Sequence, residues 1–387
     1  MRRLWLLFAQ TVTVVLALYF VYTALAPRRD GAAGAPAGQL RQLGGQNGAR
    51  LSEAVGGPAP TSYRAAAARA MPAVVNILTS KAPKRGKHPL LPDPFFKKFF
   101  GERGDDGDDD ESSLGSGVIV SPQGYILTNN HVVEAADEIE VVLADGRKAA
   151  ASIVGTDPET DLAVIKIGLG KLPVIALGQA EQARVGDVVL AIGNPFGVGQ
   201  TVTMGIISAL KRNNLHINHF ENFIQTDAAI NFGNSGGALV DTNGNLLGIN
   251  SAIYSQSGGS VGIGFAIPVS TAKSVMEAII RSGHVVRGWI GVETQEITPE
   301  LADSFGLSRQ SGAIIAGVVR NGPADRGGMR PGDILLTVEG KPVADTNEML
   351  NLIAQLTPGG KAKMTVLRKS RETTLDITVG KRPAATK

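Results

Sequence analysis

Short apolar runs separated by turn residues recur along the middle of the chain and constrain its fold more than any other feature. Each run has the length of a β-strand, and no helical pattern lies between consecutive runs. The runs are Gly117–Val120, Tyr125–Thr128, Glu140–Leu143, Leu162–Ile167, Asp187–Ile192, Val202–Ile207, Leu246–Ile253 and Gly262–Ile267. The 48 glycines among 387 residues, about 12% against a usual ~7%, supply the turns. This pattern predicts β-barrels or a β-sandwich rather than a parallel α/β sheet.

A helix is predicted to close the first folded domain, which spans residues 62–284. Apolar residues recur at helical spacing from Pro268 to Gly283, with proline at the start and glycine at the end. A short alanine-rich helix is predicted near Tyr63–Ala70. A second domain, residues 285–387, is predicted to contain strands near Ala313–Val319, Asp333–Val338 and Lys363–Leu367 and a helix near Thr346–Leu356.

The N-terminal residues 1–26 are predicted to form a transmembrane anchor. Leu4–Ala26 is a run of 23 residues without a charge, long enough for a helix to cross a ~30 Å hydrocarbon core. A cleaved signal peptide is the alternative, because Ala24-Leu25-Ala26 has the small-x-small form of a cleavage site. Two observations favour the anchor: signal peptides have apolar regions of only about 7–15 residues, and Pro27 would directly follow the cut. Residues 27–61, rich in Gly, Ala, Pro and Gln, are predicted to be a flexible tether.

A charged insertion, residues 80–113, interrupts the first domain. It begins with basic residues and ends in an acidic block from Asp105 to Glu111, a composition typical of a solvated loop. Between the two charge blocks lie the pairs Phe95-Phe96 and Phe99-Phe100. Because exposed phenylalanines are costly, we expect these pairs to dock on a neighbouring subunit or loop.

Composition excludes several classes of function. The absence of cysteine excludes a thiol nucleophile and cysteine-ligated metals, while an oxidising compartment remains open. A formal net charge of +3, from 38 basic and 35 acidic residues, is too small to indicate a nucleic-acid partner. His216 and His219 have no third ligand nearby in the sequence, so we expect no metal site. Gly259–Gly264 lacks the Lys-Ser/Thr of a phosphate-binding loop, so we expect no nucleotide and no other cofactor.

The segment Gly233–Gly237, with the sequence GNSGG, is the strongest candidate for a catalytic site. Glycines on both sides of Ser235 permit a tight turn and leave no side chain to obstruct a substrate carbonyl. If the turn directs the N–H groups of Gly233 and Ser235 to one point, they form an oxyanion hole. The same residue types also form ordinary turns, so this motif alone leaves a purely structural role open.

A serine nucleophile requires a base and a carboxylate that orients the base. His131 follows the predicted strand Tyr125–Thr128, at a point where a short helical turn should begin. Asp161 opens the predicted strand Leu162–Ile167, where its carboxylate can meet Nδ1 of a neighbouring histidine. The sequence therefore contains candidates for all three members of a catalytic triad.

The chain order His131, Asp161, Ser235, in the motifs Thr-Asn-x-His-Val, Asp-Leu-Ala-Val and Gly-Asn-Ser-Gly-Gly, resembles the HtrA (Deg) family of chymotrypsin-like serine proteases. The resemblance runs from about Tyr63 to the C-terminus, and it includes Gly193–Phe196, Gln225–Ala228 and Gly262–Pro268. It implies two packed six-stranded β-barrels with the triad in the cleft between them. By resemblance, Ser235 is the nucleophile, His131 is the general base and then the acid, and Asp161 is the orienting carboxylate.

Substrate specificity can be predicted in part from the residues before the nucleophile. In chymotrypsin-like folds an acidic residue six positions before the serine selects basic side chains, and Ala229 stands there in this chain. Asp227 is interpreted as a structural residue of the Gln-Thr-Asp-Ala motif. The predicted pocket walls are Ile224, Ala229, Asn250, Ser251 and Ala252. A small pocket without a buried charge predicts cleavage after Val, Ala, Leu or Ile.

The second domain resembles a bacterial PDZ domain over Gly288–Val292 and Gly322–Asp333. The resemblance implies that a peptide C-terminus joins the domain as an added β-strand. Its carboxylate would be bound in the loop that follows Trp289, by the N–H groups of Ile290, Gly291 and Val292. The predicted helix carries two further candidates, Met349 and Ile353. They would line the pocket for the last side chain, and an ordinary core position is the alternative for each.

One anchor, one protease domain and one PDZ domain resemble the membrane-anchored DegS/AlgW branch of the family. This resemblance implies a homotrimer, formed near Tyr63, on the periplasmic side of a bacterial inner membrane. It also implies activation by C-terminal peptides of misfolded outer-membrane proteins. This activation would be transmitted through a loop near Ser208–Phe223 that contains Arg212. The implied substrate is a membrane-bound anti-sigma factor. The alternatives are a general quality-control protease released by signal cleavage, and a PDZ adaptor or chaperone with an idle triad.

Overall fold

The computed structural model describes residues 62–80, 112–134, 136–194, 199–215, 217–231, 233–253, 259–304 and 311–383. The predicted anchor, the tether and most of the 80–113 insertion lie outside the described residues. Within the described ranges, no helix is both long enough and apolar enough to cross a bilayer. Residues from Pro60 onward form one compact unit that contains both predicted domains.

The first six strands close into a β-barrel in the order β1-β2-β3-β6-β5-β4, with antiparallel neighbours. They are β1 (Val74–Ser80), β2 (Ser112–Ile119), β3 (Tyr125–Thr128), β4 (Glu138–Val142), β5 (Lys148–Asp157) and β6 (Leu162–Ile167). Two short helices accompany this barrel, α1 (Arg64–Ala70) before β1 and α2 (Asn130–Val133) after β3. Branched aliphatic side chains such as Ile77, Ile126 and Ile165 fill the interior and are fully buried.

The next six strands close into a second β-barrel in the order β10-β11-β12-β9-β8-β7. They are β7 (Val188–Gly193), β8 (Thr201–Arg212), β9 (Phe223–Thr226), β10 (Ala238–Val240), β11 (Leu246–Ile253) and β12 (Gly264–Pro268). Helix α3 (Val269–Ser282) follows and buries Val269, Ala272, Val275 and Ile279. It ends at Gly283, whose φ of 77° is the left-handed C-terminal conformation that glycine adopts readily.

The C-terminal domain is built on an antiparallel sheet in the order β14-β15-β16-β18-β19, with β17 paired to β16 and a separate β13–β20 pair. Its strands are β13 (Gly288–Trp289), β14 (Val292–Gln295), β15 (Ala313–Val318), β16 (Ile334–Val338), β17 (Lys341–Pro342), β18 (Lys361–Arg368), β19 (Arg371–Thr378) and β20 (Gly380–Lys381). Its helices are α4 (Pro299–Ser304), α5 (Pro323–Arg326) and α6 (Thr346–Ala354). Strand β14 lies at one edge of the sheet.

The predicted pair of six-stranded barrels and the smaller α+β domain are confirmed. The apolar runs coincide with eight of the twelve barrel strands to within a few residues, but the pattern does not predict β1, β5, β9 or β10. Strand β10 has only three residues, too short for a periodic signal, and only Phe223 and Ile224 of the four residues of β9 are apolar. The first half of β5 is rich in alanine, which has a low β-propensity.

A buried ion pair joins the start of the second domain to the first barrel. The guanidinium of Arg287 donates to both oxygens of Asp157, at 2.7 and 2.5 Å, and to Glu159 at 3.1 Å. Arg382 also donates to Glu159, at 2.7 Å. The Arg287 guanidinium lies 4.4 Å from the ring centroid of Phe220, within range of a cation–π contact. The charges on both sides of this junction are therefore paired.

Candidate active site

Helix α2 and the start of β6 bring His131 and Asp161 into contact at one end of the first barrel. His131 Nδ1 lies 2.8 Å from Oδ2 and 3.0 Å from Oδ1 of Asp161, and the His131 backbone N–H donates to Oδ1 at 3.0 Å. Asp161 is fully buried, so water does not compete for these contacts. A carboxylate in this position favours the tautomer with the proton on Nδ1, which leaves Nε2 able to accept a proton.

The backbone of Asp161 holds an uncommon conformation that its neighbours stabilise. Its φ is 58°, in the left-handed region that non-glycine residues rarely occupy. The Asp161 carbonyl accepts hydrogen bonds from the Asn129 side chain at 2.9 Å and from the Asn130 N–H at 3.2 Å. The Ser251 hydroxyl, on β11 of the second barrel, donates to Asp161 Oδ2 at 3.0 Å. The orienting carboxylate is thus held from both barrels.

Ser235 lies in the turn that precedes β10, and this turn requires its glycines. Gly236 has a φ of 81°, and a Cβ there would lie 2.1 Å from the carbonyl oxygen of Ser116. A Cβ on Gly237 would lie 2.2 Å from the carbonyl oxygen of Ile192. The Ser235 side chain is nearly buried, and its hydroxyl donates to the carbonyl of Ser251 at 3.2 Å. The serine is therefore presented on a turn packed tightly between the two barrels.

In this turn, two carbonyl groups are hydrogen-bonded to the first barrel, whereas two N–H groups have no acceptor among the described residues. Its Gly233 carbonyl accepts a hydrogen bond from the Ser116 hydroxyl at 2.5 Å, and its Ser235 carbonyl accepts one from the Ser116 N–H at 2.8 Å. The N–H of Asn234 donates to Asn231. Within the part of the chain that the structure describes, no group accepts a hydrogen bond from the N–H of Gly233 or Ser235. These two N–H groups remain available to a ligand.

Comparison with known proteins identifies the family. Residues 115–249 match the trypsin-like peptidase domain family, and residues 288–379 match the PDZ domain family. A probable periplasmic serine endoprotease, DegP-like, of Ectopseudomonas mendocina (strain ymp) is 45% identical over 336 residues, which are 83% of this chain and 71% of that protein. The solved structure of the HtrA-type protease AlgW with tripeptide is 53% identical, with a TM-score of 0.72 over 83% of this chain and 98% of that chain. The chain belongs to the HtrA-type serine proteases. It is a serine endopeptidase with a trypsin-like domain.

A second structure of a related HtrA protease contains a longer peptide. AlgW with decapeptide is 54% identical to this chain, with a TM-score of 0.70 over 83% of this chain and 99% of that chain. Peptide binding is therefore a property of a close structural relative.

The predicted pocket residues of this HtrA protease lie on β9, on β11 and in the turn before the nucleophile. Ile224, Asn250, Ser251 and Ala252 are buried, and Ala229 is partly exposed. The hydroxyl of Ser251 contacts Asp161 rather than a pocket, a role that its position in the sequence did not indicate. The amide of Asn250 donates to the Ala238 carbonyl at 3.2 Å. Two of the five side chains are thus bonded within the protein.

Asp227, which precedes the pocket residue Ala229, makes a contact of the kind predicted for a structural residue. Its Oδ1 accepts a hydrogen bond from the N–H of Ile206 at 2.7 Å. The contact ties the β9–β10 connection to β8. This carboxylate is therefore engaged with the backbone of the barrel.

The predicted carboxylate-binding loop of the PDZ domain has free N–H groups. The carbonyls of Ile290 and Gly291 accept hydrogen bonds from Ala324 and Val319, at 2.8 and 2.9 Å. Among the described residues, no acceptor is paired with the N–H of Ile290 or Gly291. Val292 pairs with Val318 next to that Val319 bond, so it occupies a non-hydrogen-bonded position and its N–H points away from β15. In the described part of the chain, three consecutive N–H groups thus have no partner at this edge of the domain.

The other predicted PDZ residues divide between loop and core. Gly291 has a φ of 76°, and a Cβ there would lie 2.9 Å from the Trp289 ring, so this position requires glycine. Met349 and Ile353 on α6 are 3% and 4% exposed and belong to the domain core together with Ile290. Both side chains are buried in this structure, and their part in a peptide pocket stays a prediction.

The remaining candidates lie outside the triad. Arg212, at the end of β8, donates through Nε to the side chain of Gln225 at 2.8 Å. His219 is described and His216 is not, and within the described ranges no three potential ligands cluster around a metal position. Ser116 contacts two carbonyls of the turn Gly233–Gly237, called the nucleophile turn below. It was not predicted as a site residue. In the sequence it is one small residue before an apolar run, and only the closed barrel brings it to the turn.

Proposed function

We propose that His131, Asp161 and Ser235 form the triad of this endopeptidase, with the N–H groups of Gly233 and Ser235 as its oxyanion hole. The observation that carries the proposal is the contact of His131 Nδ1 with the buried Asp161 carboxylate, 2.8 Å away. This contact is combined with two unpaired N–H groups beside the nucleophile in a glycine-rich turn. Each element of serine-protease chemistry has a residue here.

The proposed reaction proceeds through an acyl-enzyme. The Ser235 hydroxyl attacks the scissile carbonyl while His131 Nε2 accepts its proton, and the negative charge develops on the carbonyl oxygen between the two N–H groups. His131 then donates the proton to the leaving amine as the C–N bond breaks. Water, deprotonated by the same imidazole, attacks the ester and releases the second product. Asp161 stabilises the imidazolium that forms in each half.

Fluorophosphonate labelling tests the triad directly. The full chain should be labelled, and labelling should increase with a hydrophobic C-terminal peptide. Ser235→Ala should abolish labelling and turnover while the affinity for that peptide stays unchanged. If the wild-type chain is labelled in neither state, with His131 and Asp161 intact, the protein acts as an adaptor or chaperone and the assignment of the triad is wrong.

We propose that the primary pocket accepts small aliphatic residues, such as Val, Ala, Leu or Ile. The support is the small, mostly apolar set around Ile224, Ala229 and Ala252, which offers no acid for a lysine or arginine. Peptides that differ only in this residue should be cleaved at least about tenfold faster after Val or Ala than after Lys or Arg. Equal values of kcat/KM for Val and Lys peptides would contradict this specificity.

We propose that the PDZ domain binds a peptide C-terminus and thereby activates the protease. A peptide strand would pair with the open edge of β14, and its carboxylate would accept from the N–H groups of Ile290, Gly291 and Val292. For activation, the peptide must bind the active conformation more tightly than the resting one. Arg212, which is bonded to Gln225 within the second barrel, is the residue proposed to make the contact of the coupling loop Ser208–Phe223.

Glycine substitutions test the PDZ loop. Gly291→Ala should weaken binding of a hydrophobic C-terminal peptide at least about tenfold, because its Cβ would displace the Trp289 ring. Gly340→Ala is the matched control, since Gly340 also has a positive φ, 74°, but has no atom within 4 Å of the added Cβ. Equal peptide affinity of the two variants would exclude this loop as the carboxylate site.

We propose that the protein is a homotrimer in the periplasm, anchored in the inner membrane by residues 4–26. Its proposed substrate is a membrane-bound anti-sigma factor, which it cleaves in envelope-stress signalling. The periplasmic name of its relatives and the 23-residue uncharged run support the location. Met204 and Ile206 on β8 are 60% and 38% exposed, as expected of a surface that another copy covers. Membrane fractionation, the mass of the mature chain and sedimentation test these points. Recovery of a shortened monomer in the soluble fraction would instead favour a released quality-control protease.

A further inference from the structure

Ser116, on β2 of the first barrel, is the residue through which that barrel holds the nucleophile turn of the second. It is fully buried. Its N–H donates to the Ser235 carbonyl at 2.8 Å, and its hydroxyl donates to the Gly233 carbonyl at 2.5 Å. One side chain and its own backbone thus bind the carbonyls on both sides of Asn234.

The other contacts of Ser116 fix the direction of its hydroxyl proton. The hydroxyl oxygen accepts a hydrogen bond from the N–H of Asn194 at 2.8 Å. The Ser116 carbonyl accepts from the Thr128 hydroxyl at 2.7 Å, so the backbone of β2 is also held. A serine has one proton to donate, and with a donor already on its oxygen that proton has the Gly233 carbonyl as its partner. The hydroxyl therefore acts as a directed donor between Asn194 and the nucleophile turn.

The direction of the two carbonyls determines what the turn presents to a substrate. Ser116 holds the carbonyls of Gly233 and Ser235, so it fixes the two peptide groups that flank the Asn234–Ser235 peptide, which carries the Ser235 N–H. Gly233 has a φ of 88° and no side chain to limit rotation, so the turn has little stiffness of its own at this point. Oxyanion stabilisation depends on donors that are already oriented when negative charge develops. The turn therefore requires an external restraint.

We propose that Ser116 is a positioning residue for the oxyanion hole, whose hydroxyl holds the Gly233–Asn234 peptide in the orientation that leaves the N–H groups of Gly233 and Ser235 free for the substrate oxygen. This inference rests on the proposed triad and oxyanion hole. It predicts that the hydroxyl of Ser116 serves the transition state more than the binding of the substrate, because the tetrahedral oxyanion depends on these donors more strongly than the ground-state carbonyl does.

Steady-state kinetics of the full chain with an activating peptide test the proposal. Ser116→Ala should lower kcat roughly 10- to 100-fold, somewhat less than the 10²–10³-fold loss typical of deleting an oxyanion donor outright. KM should stay within about threefold of wild type, because ground-state binding is retained. The affinity for a peptide boronate, which forms a tetrahedral adduct on Ser235, should fall by the same factor as kcat/KM.

Ile119→Val is the matched control for lost stability. Ile119 lies on the same strand and is also fully buried, and none of the hydrogen bonds of the nucleophile turn involves it. The melting temperature of Ile119→Val should fall about as far as that of Ser116→Ala, while the kcat of Ile119→Val should stay within about twofold of wild type. Ser116→Cys is a second variant that preserves size and retains only a weak donor. It should have a kcat between those of wild type and Ser116→Ala.

The outcomes separate this inference from the proposed function. A kcat of Ser116→Ala within threefold of wild type, or an equal kcat loss in Ile119→Val, would overturn the positioning role while leaving the triad in place. An unchanged boronate affinity would overturn it as well. If Ser116→Ala does not fold, Ser116→Cys decides, and wild-type kcat in that variant refutes the proposal. Activity that survives Ser235→Ala would refute the proposed function itself and this inference with it.

Discussion

Removal of the Arg287 guanidinium should destabilise the junction between the protease and PDZ domains. In Arg287→Met the apolar stem remains and the charged head is lost. Asp157, whose side chain is 5% exposed, then loses both of its bonds to the guanidinium. Among the residues that the structure describes, Asp157 then retains only the Thr160 hydroxyl as a side-chain donor. The variant therefore leaves a carboxylate buried without its counter-charge.

The magnitude follows from which contacts remain. Breaking a buried ion pair by removing one partner costs about 3–5 kcal/mol. The lower end applies to Arg287→Met, about 3 kcal/mol, because the Thr160 hydroxyl still donates to Asp157. Asp157→Asn should cost less, about 2 kcal/mol, because Arg287 keeps Glu159 and the Phe220 ring as partners. The double variant should cost less than the sum by at least about 1.5 kcal/mol, since the second change removes a group that the first has already unpaired.

Urea denaturation monitored by tryptophan fluorescence measures these free energies. Trp5 and Trp289 are the only tryptophans, so in a Trp5→Phe background the signal comes from a residue two positions after Arg287. Lys148→Met is the control, because Lys148 also contacts a carboxylate at 3.0 Å but is 61% exposed. Exposed pairs of this kind contribute about 0–1 kcal/mol.

Two results would refute this reasoning. One is a loss for Arg287→Met no larger than that for Lys148→Met, which would show that burial does not strengthen the pair. The other is strict additivity of the two junction variants, with a coupling energy below about 0.5 kcal/mol. Either would mean that Arg287 and Asp157 are near each other without depending on each other.

Further predictions concern the nucleophile turn and the orienting carboxylate. Gly236→Ala should reduce fluorophosphonate labelling at least about 100-fold, because its Cβ would lie 2.1 Å from the Ser116 carbonyl oxygen. Gly146→Ala, at a φ of 85° with open space around the Cβ, should be labelled like wild type, and equal labelling of both variants would contradict the steric argument. Ser251→Ala should lower kcat about tenfold with little change in KM. The reason is that the Asp161 carboxylate loses one of its three donors and orients the His131 imidazole less firmly. A change in KM alone would place Ser251 in the substrate pocket instead.

Local patterns in the sequence predicted much of the fold. Apolar runs of strand length gave most of the barrel strands, and helical spacing between a proline and a glycine gave α3. These signals are local, since each depends on residues a few positions apart. Strands that are very short or rich in alanine, such as β10 and the first half of β5, carry too weak a signal and become strands through pairing with their neighbours.

The sequence by itself determined the residue types of the site and their order along the chain: a histidine after one strand, an aspartate before another, and a serine between glycines. Only the tertiary structure decided that Asp161 meets His131 and Ser251 together, and that Ser116 holds the carbonyls of a turn 117 residues away. The physical reason is that hydrogen bonds between distant residues depend on the closure and packing of two barrels, whereas a local pattern determines only the element to which each residue belongs.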